Sequence, residues 1–71
     1  MANEIQGRPL SVLRLPEVME RTGLSRSSVY AMASTDRFPH PIKLSDRASA
    51  WIEAEVEAWI RERMSLRNQF T

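Results

Sequence analysis

The spacing of apolar and polar positions changes several times along this chain, and each change marks a new element. The opening MANEIQGRPL has no period and holds Gly7 and Pro9, so residues 1–11 read as an N-terminal arm. Leu13 and Leu15 flank Arg14 in strand-like alternation, which predicts a short strand or extended lead-in. Pro16 suits the first turn of a helix, where its missing N–H costs nothing. Glu17 favours the positive end of the helix dipole. Val18 and Met19 supply the apolar side, and the run stops at Gly23, the residue type best able to adopt left-handed backbone just past a helix. A first helix is expected over residues 16–22.

A second helix follows at once. Ser25 reads as its N-cap. Leu24 before the cap and Val29 at the fourth helical position have the spacing of a hydrophobic staple. Val29, Met32 and Ala33 share one face, whereas Ser27, Tyr30, Ala31 and Ser34 share the opposite one, with Arg26 and Ser28 at the flanks. The helix should end near Ser34. Prolines on both sides of His40 then forbid helix and favour extended chain. Ile42 and Leu44 alternate about Lys43, a polar Ser45-Asp46-Arg47 turn comes next, and Ala48 to Trp51 can return as a strand. Residues 41–52 therefore read as a β-hairpin, which must pack on the helices because two strands are not stable alone. From Glu53 the period lengthens. Ile52, Val56, Trp59, Ile60 and Met64 fall at i, i+4, i+7, i+8 and i+12, the stripe of an amphipathic helix. SLRNQFT, residues 65–71, reads as a tail. The expected architecture is one domain over residues 12–64, mainly α with a small β-hairpin.

Composition narrows the functional classes. A chain of 71 residues buries only about 60% of its unfolded surface, so its stability is marginal. It has no Cys, hence no disulfide and no thiolate metal site. One His between prolines has no second ligand in view, and no nucleophile–base pair or metal set can be assembled, so neither an enzyme nor a cofactor is expected. No apolar run of 18 residues and no signal-peptide core is present, which predicts a soluble cytoplasmic protein with no membrane partner. The net charge is only +1, but it is unevenly spread. Residues 21–47 carry five cations against two carboxylates, and residues 53–62 carry four carboxylates against one cation. The middle segment fits an anionic partner; two solvated surfaces of opposite sign would give the same count.

Two short helices joined through Thr22-Gly23-Leu24-Ser25, then a hairpin, then a supporting helix, are the order of a winged helix-turn-helix, whose second helix enters the DNA major groove. This explains the polar opening of the second helix. Free N–H groups and the dipole attract phosphate there, and the short hydroxyls of Ser27 and Ser28 let the backbone approach closely. Arg26 can reach a phosphate or the O6/N7 edge of guanine. Tyr30 can donate its hydroxyl to the DNA backbone or lie against a sugar. Lys43 and Arg47 would carry the hairpin onto flanking DNA. Each has an ordinary alternative: Ser27, Ser28 and Arg26 as solvated surface, Tyr30 folded over the core edge, Arg47 clamped to Glu17 or Glu20. Trp51 and Trp59 are expected in the core. Other readings are an architectural protein that bends DNA, and a protein-interaction module that docks through Tyr30 and the acidic helix.

LRLPEVMERTGLSRSSVYAM, RFPHPIKLSDRASAW and EVEAWI, in this order, resemble the AlpA family of phage-type transcriptional regulators, relatives of the excisionases and of MerR-type winged-helix domains. The resemblance covers residues 12–64. It implies a winged helix-turn-helix in a bacterial, nucleoid-associated regulator without enzymatic activity, acting on double-stranded DNA near integrase or excision genes. It further implies DNA contacts from Arg26, Ser27, Ser28 and Tyr30, and a wing contact from Arg47. Two positions depart from the family pattern. Ser28 stands where Thr is common, which keeps the hydroxyl. Ser45-Asp46 stands where the wing turn is often Gly-rich, and Asp46 weakens phosphate attraction by Arg47. A module this small gives a short footprint, so association of protomers on DNA is expected.

Overall fold

The computed structural model describes residues 10–67. Their elements run β1 (Val12–Leu13), α1 (Leu15–Thr22), α2 (Arg26–Ser34), β2 (Ile42–Ser45), β3 (Ala48–Ile52) and α3 (Glu53–Leu66). The expected N-terminal arm falls outside the described residues for 1–9, and so does the expected tail for 68–71. The observed fold is mainly α with a small β wing, a helix-turn-helix of the expected type.

Local chemistry accounts for the helix ends. The Arg14 N–H donates to Glu17 Oε1 at 2.9 Å, so Glu17 caps α1 by a hydrogen bond as well as by its charge. Gly23 closes α1 at φ 76, its N–H donating to the Met19 carbonyl at 2.8 Å. At the far end of α2, Asp36 takes the same left-handed role at φ 61. Its N–H donates to the Ala33 carbonyl at 3.2 Å and that of Arg37 to the Met32 carbonyl at 2.8 Å, the bond pair of a Schellman motif with Asp in the usual glycine position. The sequence places the end of α2 correctly but gives no Gly to mark it.

The lead-in before α1 is a strand. β1 pairs antiparallel with β3, Leu13 facing Trp51, and the sheet order is β1-β3-β2. The hairpin's β3 thus becomes the central strand of a three-stranded sheet, and β1 supplies what two strands lack. Between Lys43↔Ser49 and Ser45↔Ala48 the ladder slips by one residue, so Leu44 is bulged and Asp46-Arg47 form the turn. β3 runs into α3 without a linker. Ile52 offers α3 no side-chain cap. The Glu53 N–H instead donates to the Ser11 carbonyl at 3.0 Å, and the Ser11 hydroxyl donates to the Glu53 carboxylate.

The core gathers one residue or more from every element except β2: Leu13, Val18, Val29, Ala33, Trp51 and Val56, with Phe38 from the loop after α2. Leu24, Met32, Trp59 and Ile60 pack around it, so the staple residue Leu24 reaches the cluster that contains Val29. Met64 stays exposed, and the apolar stripe of α3 ends a turn earlier than its spacing suggests. α3 itself continues to Leu66, past the boundary expected at residue 64. Both indole N–H groups hold the Pro-containing loop: Trp51 Nε1 donates to the Pro39 carbonyl at 2.9 Å and Trp59 Nε1 to the Arg37 carbonyl at 2.8 Å. Phe38, between those two carbonyls, is buried against Trp59 with ring centroids 5.0 Å apart.

Candidate nucleic-acid interface

The first turn of α2 is an exposed, hydroxyl-lined surface. Ser25 Oγ accepts the Ser28 N–H at 3.2 Å, which satisfies one of the amides that every helix N-terminus leaves open. The same hydroxyl donates to Ser28 Oγ at 3.0 Å and lies 3.4 Å from Ser27 Oγ. Three serines therefore share one cluster around the cap. Among the described residues the Arg26 and Ser27 N–H groups have no protein acceptor. Val29 and Ala33 face inward and are buried, which turns Arg26, Ser27 and Tyr30 outward, with Ser28 half-buried.

Arg26 does not extend freely into solvent. Its guanidinium carbon lies 5.7 Å from the centroid of the Tyr30 ring. Tyr30 in turn sets its ring edgewise against Trp51, 5.8 Å away at 61°. Tyr30 is still 42% exposed, so it does both things that the sequence left open: it leans on the core edge and it presents a face outward.

On the wing, Lys43 Nζ donates to the Asp46 carbonyl at 3.2 Å and so ties its own strand to the turn. An ammonium has three donors, and two remain for another acceptor. Arg47 is exposed at the tip and forms no ion pair among the described residues; the alternative of a clamp to Glu17 or Glu20 is not what the fold contains.

One cation counted in the basic middle is spent inside the fold. Arg21 bridges α1 to α3 through Glu53 at 2.9 Å and Glu57 at 3.6 Å. Part of the acidic face is thus a clamp between helices rather than only a solvated surface. Conversely, Arg14 was not singled out by sequence pattern. It is exposed, and its Nε donates to the Ser49 carbonyl at 3.0 Å, on the strand residue that pairs with Lys43. The available signal was its position as the polar residue between two inward leucines.

His40 Nε2 meets Asp36 Oδ1 at 2.6 Å, both groups exposed. No cluster of three or more His, Cys, Asp or Glu among the described residues could hold a metal, and no described helix is long and apolar enough to cross a membrane.

A family model described as prophage CP4-57 regulatory protein (AlpA) matches residues 11–64, from the residue before β1 into the last turns of α3. An uncharacterized protein of Enterobacteria phage P4, ORF88, is 40% identical over 57 residues, 80% of this chain; the chain spans 65% of that relative's length. A protein of Escherichia coli named DNA-binding transcriptional activator AlpA is 33% identical over 61 residues, 78% of this chain and 87% of its own. The matched stretch takes in the two short helices, the wing and most of the helix that supports them, and the chain belongs to the AlpA family of prophage regulatory proteins.

Proposed function

We propose that this protein is a sequence-specific DNA-binding transcriptional regulator of prophage or integrase-type genes. α2 enters the major groove, and the β2–β3 wing lies on flanking DNA. The observation that carries this reading is the first turn of α2: amides at Arg26 and Ser27 that have no acceptor among the described residues, the hydroxyls of Ser25, Ser27 and Ser28, and an Arg26 with no carboxylate partner among them, all at the exposed start of the second helix of a helix-turn-helix. Partial positive charge and close backbone approach suit a phosphate, and the next turn then faces base edges. The name of the Escherichia coli relative points the same way. Lys43 and Arg47 add two cations on the wing, whereas Arg21 stays with α3.

The test begins with selection of bound duplexes from a random library, followed by affinity measurements on the selected site and a scrambled one. Specific binding should weaken linearly with the logarithm of salt, with a log–log slope near −0.9 per phosphate neutralised. Arg47→Ala should reduce the magnitude of that slope by about 1 on both duplexes, the signature of a phosphate contact. Sedimentation of the complex counts the protomers on each site. Recovery of no preferred sequence, together with affinity indifferent to salt, would remove DNA as the partner.

A further inference from the structure

We infer that Arg26 reads a guanine and that Tyr30 is the positioning residue that holds it ready to do so. The inference rests on the DNA-binding reading and adds what the site recognises.

Three rings and planes form a chain from the core to the surface. Trp51 is fully buried, paired to Leu13 across the sheet and fixed by its hydrogen bond to the Pro39 carbonyl. Tyr30 stands edge-on against that immobile indole. The Arg26 guanidinium lies over the outer part of the stack, within cation–π range of Tyr30. Helical side chains ordinarily lean toward the N-terminus of their helix. Arg26 would by that rule project past the tip of α2, where open amides attract phosphate. The guanidinium carbon instead lies 5.7 Å from the ring of Tyr30, which by the same rule leans toward it from one turn later.

A phosphate contact needs charge at roughly the right place. Bidentate recognition of guanine O6 and N7 needs more, because a planar fork must lie close to the plane of the base. A ring 5.7 Å from the guanidinium carbon limits where that group can sit and leaves its donor edge available. Among the described residues no carboxylate competes for that edge. The stack also accounts for an aromatic side chain left 42% exposed in a domain short of core.

The test uses the full chain and the site chosen by selection. Arg26→Ala should lose about 5- to 150-fold discrimination at one guanine position and little elsewhere. Tyr30→Phe keeps the ring and should bind within about twofold of the parent, whereas Tyr30→Leu keeps apolar bulk against Trp51 but has no π face. Tyr30→Leu should lose about 2- to 5-fold on the guanine site, nothing on a duplex with that guanine replaced, and leave the salt slope unchanged. Circular dichroism verifies the fold of each variant. An upfield ring-current shift of the Arg26 δ-protons, retained in Tyr30→Phe, reports the stack without DNA. If Tyr30→Phe falls as far as Tyr30→Leu, the hydroxyl itself is the contact and the positioning role is overturned. If Arg26→Ala weakens every sequence equally and lowers the salt slope, Arg26 is a phosphate ligand; this inference then fails while the DNA-binding reading stands. If the parent protein selects no sequence, both fail together.

Discussion

Replacing Ser25 separates what α2 needs in order to form from what it needs in order to bind. Ser25→Ala removes the oxygen that accepts the Ser28 N–H and leaves Ser27 and Ser28 without their shared partner. Loss of a serine cap costs about 0.5–2 kcal/mol. The 3.2 Å separation is at the long end of the N–H···O range, which places the expected cost near the middle, at about 1 kcal/mol. An unfolding entropy of about 2.1 cal/mol/K per residue, over a chain of 71 residues, converts this to a fall in Tm of about 7 °C. Ser25→Asp keeps an acceptor and adds a negative charge at the positive end of the helix, so its Tm should equal or exceed that of the parent. The same charge would face an incoming phosphate, so Ser25→Asp should bind DNA weakly at low salt despite its intact fold. Thermal denaturation followed by circular dichroism gives the first readout, and fluorescence anisotropy with a labelled duplex gives the second. A fall of less than about 2 °C for Ser25→Ala would show that the cap does not hold α2. Parental DNA affinity in Ser25→Asp would show that no phosphate approaches this helix end.

Three further outcomes follow from the packing. Trp51→Ala removes the largest fully buried side chain and orphans the Pro39 carbonyl, at a cost of about 3–5 kcal/mol. In so small a domain that should abolish the cooperative thermal transition, and a variant that still melts cooperatively near the parental Tm would contradict the assigned core. Arg21→Ala and Glu53→Gln, alone and together, should show a coupling of about 0.2–1 kcal/mol that shrinks in high salt, since both groups are partly exposed. Arg21→Ala should leave the salt slope of DNA binding unchanged, and a slope reduced by about 1 would return Arg21 to the interface.

The sequence by itself determined the order and type of the elements from residue 16 onward, because the signals are local. Gly23 can end α1 whatever surrounds it, Ser25 can cap α2 with its own backbone, and an apolar period of two or of 3.6 survives in any context. It also marked the outward face of α2, since Val29 and Ala33 could only turn inward. What the sequence could not assign was partnership between residues far apart in the chain. Arg21 and Arg47 are the same residue type in the same basic stretch, yet Arg21 meets Glu53 and Glu57 across 32 and 36 positions while Arg47 meets no carboxylate among the described residues. Trp51 and Trp59 were legible as core, but their N–H bonds to Pro39 and Arg37 were not, because a donor's partner depends on which loop the fold brings to it. The same holds for Ser11 at the start of α3 and for Arg26 over Tyr30 over Trp51. Patterns along a chain fix which side of an element faces inward; only closure of the core fixes what each side chain finds there.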